Sequence, residues 1–406
     1  MRTFDIPTFF KSPLIAKVKN FQKAQDPKKR DFAPCKVDLG AYQLVLARHF
    51  GFCFGVENAI ELAYKALNDN PGKRIFLLSQ MIHNQDVNQD LQENGIQFLM
   101  DTSGNRQMDW NSLTPEDVVL IPAFGTTIDI QQELEDKGLQ LEKYNTTCPF
   151  VERVWKKSEK LGKDNHTIII HGKPQHEETR ATFSHSSASG PSIVIKNLEE
   201  AKEIGAYISG EKPWNAALFN DRHTPGFNPE TDLDKIGIVN QTTMLAEDTA
   251  EIVDYFREVK REQVGEEKLK QHFAETRDTL CYATNDNQSA TKSLLKVKAD
   301  LAVVVGGYNS SNTSHLVELL EGEFPTLFVK NETEMVSAQE INHFDFRNKS
   351  MLKSALNLPD NPTIIVTSGA SCPDSSLERV IHRLHSLIGQ SDMPDEKELK
   401  IKLIQD

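Results

Sequence analysis

The chain has 406 residues, of which 38% are hydrophobic and 26% are charged, and this composition is typical of a globular protein with two or three domains. No apolar run approaches the roughly 20 residues that a membrane-spanning helix needs, so a membrane protein is excluded. The net charge of −13 argues against nucleic acid as the main partner, because phosphate backbones favour basic surfaces. The first 40 residues contain nine Lys or Arg but also four Asp and one Ser, which fits neither a signal peptide nor a transit peptide. We therefore expect a cytoplasmic protein.

Short β-branched apolar runs alternate with amphipathic helical patterns along much of the chain. The predicted buried strands are RIFLL (74–78), DVVLI (117–121), HTIII (166–170), SIVI (192–195), IGIV (236–239), LAVVV (301–305) and TIIV (363–366). This alternation predicts an α/β fold with mainly parallel sheets.

Several of these strands run directly into small polar residues. The loops are HGKPQHEET (171–179), NQTT (240–243), GGYNSSNTS (306–314) and TSGAS (367–371). Ligands bind beyond the carboxyl ends of parallel strands, so these loops are candidate sites, although each one alone is also typical of an ordinary turn.

The five cysteines lie far apart, at positions 35, 53, 148, 281 and 372, without a CxxC pair. Cys53, Cys148 and Cys281 each precede a helical pattern, and a helix N-terminus favours a thiolate over a thiol. Cys35 and Cys372 lack this setting and are interpreted as structural. A single buried cysteine is usually inert, but three in the same context favour ligands.

Three thiolates from distant segments converge only if the segments surround a common centre, which predicts pseudo-threefold packing. Such a site suits zinc or an iron-sulfur cluster. Structural zinc usually takes closely spaced ligand pairs and four protein ligands, whereas three separate cysteines suit a cluster with one open iron.

The remaining polar motifs favour an anionic substrate that is not a nucleotide, since the chain has neither a P-loop nor a GxGxxG fingerprint. Phosphate oxygens would accept hydrogen bonds from donors in the polar loops. These candidates are His83, His176, Ser310, Ser311, Asn312 and Ser371. Glu178 is the natural proton donor. The alternative interpretation is that the histidines are ordinary loop residues and that Glu177 and Glu178 form a solvated pair at a helix start.

Eight motifs in order carry a resemblance to a known family. They are GFCFGV, IHNQDVNQDL, NTTCPFVERV, HGKPQHEETRAT, NQTTM, CYATNDNQ, YNSSNTSHL and TSGASCPD, between about Leu44 and Leu387. With these motifs the chain resembles the 4-hydroxy-3-methylbut-2-enyl diphosphate reductases, the LytB/IspH family, which catalyse the last step of the non-mevalonate isoprenoid pathway.

The resemblance implies three α/β lobes around an oxygen-sensitive 4Fe-4S cluster. Cys53, Cys148 and Cys281 would be its ligands, and the fourth iron would bind the substrate hydroxyl. The six loop donors named above would hold the diphosphate, and Thr242 would also contact the substrate. Glu178, with Thr242 close by, would deliver protons, and two electrons would give isopentenyl or dimethylallyl diphosphate.

The chain departs from many bacterial members at Phe124, where they carry a phosphate-binding His. Either the diphosphate has fewer contacts, or Thr126 or Thr127 compensates. The N-terminal extension and the segment 205–233 also exceed the short bacterial form, and together these features resemble the plant and cyanobacterial branch. The resemblance therefore implies ferredoxin or flavodoxin as electron donor, and the basic segment 153–163 is a candidate docking surface for such an acidic partner. The alternative is an ordinary solvated helix face.

The predicted organisation is an N-terminal extension (1–42), three lobes carrying Cys53 (43–147), Cys148 (148–280, with an insertion at about 205–233) and Cys281 (281–387), and a C-terminal tail (388–406).

Two other functions stay open at this point. Quinolinate synthase also places three cysteines around an open-iron cluster, although the HEET, SSN and GAS motifs argue against it. A non-catalytic iron-sulfur or zinc sensor would keep the cysteines but would not need Glu178.

Overall fold

The computed structural model describes residues 4–28, 31–274, 279–389, 393 and 399–404. The strands are β1 Cys35–Asp38, β2 Gln43–Leu46, β3 Ile75–Leu77, β4 Ile96–Phe98, β5 Val118–Leu120, β6 Thr167–His171, β7 Ser192–Ile195, β8 Ile236–Asn240, β9 Phe273–Ala274, β10 Leu301–Val305, β11 Thr326–Val329, β12 Met335–Ser337, β13 Glu340–Asp345, β14 Ser350–Ser354, β15 Thr363–Ser368 and β16 Lys400–Leu403. The helices are α1 Pro13–Gln25, α2 Phe54–Asp69, α3 Gln85–Glu93, α4 Ile128–Asp136, α5 Pro149–Lys163, α6 Glu177–Ser187, α7 Leu198–Ile208, α8 Pro229–Asp232, α9 Ala246–Val264, α10 Glu266–His272, α11 Tyr282–Leu294, α12 Ser311–Glu321 and α13 Asp374–Leu387.

The chain forms two compact units. Unit 1 comprises Met1–Glu57, Ile82–Gln89 and Tyr282–Asp406, and unit 2 comprises Asn58–Met81 and Asp90–Cys281. Among the described residues, no helix is both long enough and apolar enough to cross a membrane.

Unit 1 is built on a six-stranded sheet in the order β11-β10-β15-β2-β1-β16. The strands β11, β10, β15 and β2 run parallel, while β1 pairs antiparallel with both β2 and β16. Thus β1 of the predicted N-terminal extension and β16 of the predicted C-terminal tail both belong to this sheet. A separate antiparallel sheet, β12-β13-β14, completes the unit.

Unit 2 contains two parallel sheets, β4-β3-β5 and β7-β6-β8-β9. The central strands β3 and β6 carry continuous apolar runs because helices cover parallel sheets on both faces. In β6, for example, Ile168, Ile169 and Ile170 are all 0% exposed.

All seven predicted strands are present, and the prediction of an α/β fold with mainly parallel sheets is confirmed. The lobe boundaries stay a prediction. The strand β2, which is not among the predicted strands, pairs with β15 in register Gln43 to Thr363 and lies in unit 1.

The predicted insertion at 205–233 contributes to the core of unit 2. It begins inside α7, and the Trp214 ring stacks on Phe219, which is 0% exposed. His223 forms a bridge with Ile193 of β7, and Arg222 forms an ion pair of 2.9 Å with the buried Glu200 of α7. The segment is therefore held to the edge of the sheet by aromatic packing and a charged pair.

Candidate functional site

The three predicted ligand cysteines occupy equivalent positions in their local elements. Cys53 immediately precedes α2, Cys148 is the N-cap of α5, and Cys281 immediately precedes α11. All three thiols are of intermediate burial, whereas Cys35 and Cys372 are 0% exposed. Each helix start offers amide N–H groups that stabilise a negatively charged sulfur.

The backbone at each of the three cysteines is held in the same way. The backbone amide of each of these three cysteines donates to a carbonyl in a loop that follows a parallel strand. The bonds are Cys53 to Ala370 after β15 (3.1 Å), Cys148 to Ala123 after β5 (3.0 Å) and Cys281 to Thr242 after β8 (3.2 Å). This repeat places each thiol beside the carboxyl end of a sheet, where ligands of α/β proteins bind.

The Cys148 thiol is in an environment that suits a bound cation. Burial raises the pKa of Cys148 to about 12, although the N–H groups of Phe150 and Val151 partly offset this effect. The negative charges of Cys281 and Glu178 raise the pKa further. Ionisation therefore requires a positive charge that replaces the proton, which is how metal binding couples to deprotonation.

Within the described part of the chain, no three His, Cys, Asp or Glu side chains surround a position for a single metal ion. In an iron-sulfur cluster, however, each cysteine binds a different iron, so the sulfurs lie apart. Three cysteines at helix starts are the donor type that such a cluster would use, whereas structural zinc usually has four protein ligands in closely spaced pairs.

Glu178 is the buried acid of unit 2. It lies at the second position of α6, is 1% exposed, and accepts two hydrogen bonds from Thr242: the amide donates to Oε1 (2.5 Å) and Oγ1 donates to Oε2 (3.0 Å). Burial raises the pKa of Glu178 to about 7, and the two bonds from Thr242 oppose this rise. The carboxyl group is therefore suited to donate a proton near neutral pH.

His176 caps the same helix. Its Nδ1 accepts the Glu178 amide at 3.2 Å, and because an amide can only donate, the neutral ring carries its proton on Nε2. The ring of Phe124 packs edge-on against the imidazole at 5.6 Å. Nε2–H is thus the ring donor that a phosphate oxygen could use.

The alternative interpretation of Glu177 and Glu178 as a solvated pair is wrong. Glu177 is 6% exposed and accepts a short hydrogen bond from the hydroxyl of Ser79, which follows β3. A sequence that shows two adjacent acids at a helix start does not reveal which side chains will cover them, so tertiary packing decides their burial.

The loop after β5 contains two threonines that follow Phe124 in the sequence, and their hydroxyl groups differ in hydrogen bonding. Thr127 caps α4, since its Oγ1 accepts the Ile130 amide at 3.4 Å. Thr126 is 7% exposed, and its Oγ1 has no hydrogen-bond partner among the residues that the structure describes. Of the two threonines considered as replacements for the missing His, Thr126 is the better candidate.

Unit 1 provides a helix start rich in hydroxyl and amide groups. Ser310 caps α12, accepting the Thr313 amide at 3.3 Å, and Ser311 and Asn312 are the first two helical residues. Thr313 packs so closely that a Cβ on Gly306 or Gly369 would lie 2.7 Å or 2.0 Å from its Oγ1. The two glycines after β10 and β15 therefore let the N-terminus of α12 approach the sheet, and such a terminus favours anions.

Asn312 connects this helix to the loop at Cys53. Its Oδ1 accepts the Ala370 amide at 2.9 Å, and the Ala370 carbonyl in turn accepts the Cys53 amide. The Nδ2 of Asn312 is buried and donates to no group in the described part of the chain. An unsatisfied buried donor costs free energy, so this atom is poised for a ligand oxygen.

His83 and Ser371 also meet in unit 1. The Ser371 hydroxyl donates to the His83 carbonyl at 3.3 Å, and a Cβ on Gly307 would lie 2.2 Å from that same oxygen. Ser371, His83 and the loop after β10 are thus tied together by one carbonyl group.

The predicted residues fall into two sets. Unit 1 contains Cys53, His83, Ser310, Ser311, Asn312 and Ser371, and unit 2 contains Cys148, His176, Glu178, Thr242 and Cys281. The sequence did not single out Gln241, which is 0% exposed and whose Oε1 accepts both the Lys173 amide (3.1 Å) and the Thr179 hydroxyl (3.0 Å). It fixes the loop after β6 to the start of α6, and its place in the NQTT motif is the signal that could have identified it.

A family model described as LytB protein matches residues 44–385. The chain is 39% identical over 355 residues to the 4-hydroxy-3-methylbut-2-enyl diphosphate reductase of Synechococcus sp. (strain WH7803), covering 87% of each protein. It is 39% identical over 352 residues to the protein of the same name from Thermosynechococcus vestitus, covering 86% of this chain and 85% of that one.

Two solved structures are also similar. One is the E-1-hydroxy-2-methyl-but-2-enyl-4-diphosphate reductase from Plasmodium falciparum, with a TM-score of 0.61, 21% identity, and coverage of 87% of this chain and 94% of that chain. The other is an (E)-4-hydroxy-3-methyl-but-2-enyl diphosphate reductase, with a TM-score of 0.52, 23% identity, and coverage of 84% and 99%. At these identities the similarity shows the fold.

Proposed function

The chain belongs to the LytB protein family, and from this we propose that it reduces 4-hydroxy-3-methylbut-2-enyl diphosphate to isopentenyl and dimethylallyl diphosphate. This reaction is the terminal step of the non-mevalonate isoprenoid pathway. The substrate C–O bond breaks, two electrons and two protons are consumed, and the hydroxyl group leaves as water.

We propose that Cys53, Cys148 and Cys281 hold a 4Fe-4S cluster. The three half-buried thiols at helix starts, each with its amide bonded to a loop carbonyl, support this assignment. When bound, the cluster would supply the two electrons one at a time and an iron without a protein ligand for the substrate oxygen.

The proton-transfer role falls to Glu178. A carboxyl with a pKa near 7 holds a proton at neutral pH and still releases it readily, which is the optimum for a general acid. Thr242 holds both carboxyl oxygens, so the orientation of the acid is fixed before the substrate binds. One proton leaves with the hydroxyl oxygen as water, and the other ends on an allylic carbon.

The diphosphate requires several hydrogen-bond donors. Candidates are the N-terminus of α12 with Ser310, Ser311 and Asn312, together with His83, His176 and Ser371. The Nδ2 of Asn312 is a buried donor without a partner among the described residues, and the Nε2–H of His176 is a second ring donor for a phosphate oxygen.

The observation that carries the proposal is the fully buried Glu178 held by Thr242. We expect Glu178→Gln to lower kcat about 10²- to 10⁴-fold, since general acids contribute in this range, and to leave the iron content unchanged. Glu199→Gln is the matched control, because Glu199 occupies the same second position of a helix, α7, but is solvent-exposed.

Unchanged turnover in Glu178→Gln would show that Glu178 is not the proton donor. Wild-type protein that binds iron but does not turn over the substrate would favour the non-catalytic sensor. Product analysis separates the reductase from a quinolinate synthase. Both measurements use the protein purified and loaded with iron without oxygen.

We also propose that an acidic carrier such as ferredoxin or flavodoxin delivers the electrons in the cytoplasm. The exposed face of α5 carries Arg153, Lys156, Lys160 and Lys163 at helical spacing, on a chain whose net charge is −13. Arg153 donates to the Leu280 carbonyl at 3.4 Å, next to Cys281, so the basic face begins beside a predicted ligand.

This docking surface makes a testable difference between two reductants. Lys156→Glu should slow reduction by reduced ferredoxin and weaken its salt dependence, while reduction by dithionite stays unchanged. Lys298→Glu reverses the charge of an exposed lysine in unit 1 and is the control. Equal effects of the two substitutions would argue against the α5 surface.

A further inference from the structure

The N-terminal extension contacts the loop that carries Cys53 along most of the loop's length. The loop consists of residues 50–54, and the segment that contacts it consists of residues 4–19, both in unit 1. The extension thus supplies contacts at the site itself, in addition to strand β1.

Two aromatic pairs flank the thiol. The Phe4 ring packs edge-on against Phe54, with ring centroids 4.9 Å apart, and the Phe10 ring packs edge-on against Phe52 at 5.9 Å. Phe4 is 7% exposed and Phe10 is 4% exposed, so both rings lose most of their contact with water. The residues immediately before and after Cys53 are therefore each covered by a ring of the extension.

Lys19 of α1 holds the other end of the loop. Its Nζ lies 4.9 Å from the centre of the Phe50 ring and forms an ion pair of 2.7 Å with Asp374 at the start of α13. This pair closes over Gly51, where φ is +80° and a Cβ would lie 2.6 Å from Asp374 Oδ1 and 2.9 Å from Lys19 Nζ. The loop and the extension therefore pack too closely at Gly51 for any side chain larger than hydrogen.

We propose that residues 4–19 act as a cover that positions the Cys53 thiol and limits access of water and oxidants to it. Four of the five loop residues, Phe50, Gly51, Phe52 and Phe54, contact the extension or its ion pair, and the fifth is Cys53. A thiolate is oxidised according to its exposure, so rings packed against both neighbours of the half-buried Cys53 limit that exposure. Phe4 and Phe10 are positioning residues in this scheme.

That the cover protects an iron ligand rests on the proposed function. Its test is independent of that function, because alkylation of the metal-free protein needs neither substrate nor turnover. The five cysteines are alkylated with iodoacetamide, and the rate at each thiol is followed by peptide mass spectrometry. In Phe4→Ala and Phe10→Ala, we expect the rate at Cys53 to rise about tenfold, since reactivity follows exposure. The rates at Cys148 and Cys281 should not change.

Phe9→Ala is the matched control. Phe9 belongs to the same segment, and its ring is tilted against that of Phe10 with centroids 4.4 Å apart, but it is 54% exposed. We expect no change in the rate at Cys53. Phe10→Leu keeps most of the apolar bulk and should restore most of the protection.

Cys35 and Cys372 report on the fold in the same sample, because both are 0% exposed in unit 1. A rise at Cys53 alone supports the cover. A parallel rise in the alkylation rates of Cys53, Cys35 and Cys372 would show that the rings only stabilise unit 1, and it would overturn the proposal. An unchanged rate at Cys53 in both alanine variants would overturn it as well.

Discussion

Thr242 stabilises the charged form of Glu178, because its amide and its hydroxyl both donate to the carboxyl oxygens. Burial acts in the opposite direction and has the larger effect, so the pKa settles at about 7. The same Thr242 accepts the Cys281 amide with its carbonyl. One residue therefore links the position of the acid to that of a predicted iron ligand.

Replacing Thr242 with Val should move the activity profile to higher pH. The substitution removes the hydroxyl donor, so the pKa of Glu178 rises further, by about one unit for a hydrogen bond to a charged group. A proton donor works in its protonated form, and the rate therefore falls as the pH rises through its pKa. The pH dependence of kcat/KM measures this descending limb.

Thr243→Val is the control, since the Thr243 hydroxyl accepts from Gln241 Nε2 at 2.6 Å, outside the bonds to Glu178. Its descending limb should stay where it is in the wild type. A limb that moves to lower pH in Thr242→Val would contradict the assigned role of the hydroxyl.

At the level of elements, the sequence reveals strands and caps better than it reveals packing. The run at 301–305 is apolar throughout, and the run at 363–366 is apolar after Thr363; both predict strands, β10 and β15, because buried parallel strands need no alternation. By contrast, no local pattern shows that β2 pairs with β15 or that Phe4 covers Phe54, since both contacts join residues far apart in the chain. The burial of Glu177, which the sequence leaves open, also depends on a distant residue, Ser79.

The contact between α1 and the Cys53 loop predicts the effect of a single methyl group. In Gly51→Ala the backbone keeps a positive φ of +80°, and the new Cβ meets the ion pair of Lys19 and Asp374. We expect a loss of more than about 2 kcal/mol in the free energy of unfolding of the metal-free protein, from the strain of the left-handed region and from the displaced pair.

Gly40→Ala separates these two costs. Gly40 has nearly the same φ, +81°, but a Cβ there would have no atom within 4 Å. The control should cost only the backbone term of about 1–2 kcal/mol. Urea unfolding measures both free energies of unfolding. Equal losses in the two variants would show that displacing the ion pair of Lys19 and Asp374 does not destabilise the protein.

On the scale of the whole molecule, one hydrogen-bond pattern recurs at three distant places in the chain. Each cysteine amide donates to a loop residue after a parallel strand, and the amides of two of those residues donate to side chains of the candidate site, Ala370 to Asn312 and Thr242 to Glu178. The sequence predicts the three strand, loop and helix combinations. The bonds that tie cysteine, phosphate donor and acid together appear only in the folded units.

Half-buried thiols that directly precede a helix, at Cys53, Cys148 and Cys281, predict which cysteines the molecule can use for iron. Cys53→Ser, Cys148→Ser and Cys281→Ser should each lose most of the roughly four irons expected per chain, because each removes one of three ligands. Cys35→Ser and Cys372→Ser should keep the wild-type iron content. Burial raises the pKa of Cys35 to about 12 and raises that of Cys372 as well, and both lie inside unit 1.

The measurement is the iron count with the electronic spectrum of anaerobically purified protein, and circular dichroism of each variant confirms that it is folded. A folded Cys372→Ser variant without iron would show that the buried thiol is a ligand and that one helix-start cysteine is not. Retention of iron in Cys281→Ser would break the equivalence of the three positions. In either case, the shared bond between a cysteine amide and a loop carbonyl would describe only how the helices begin.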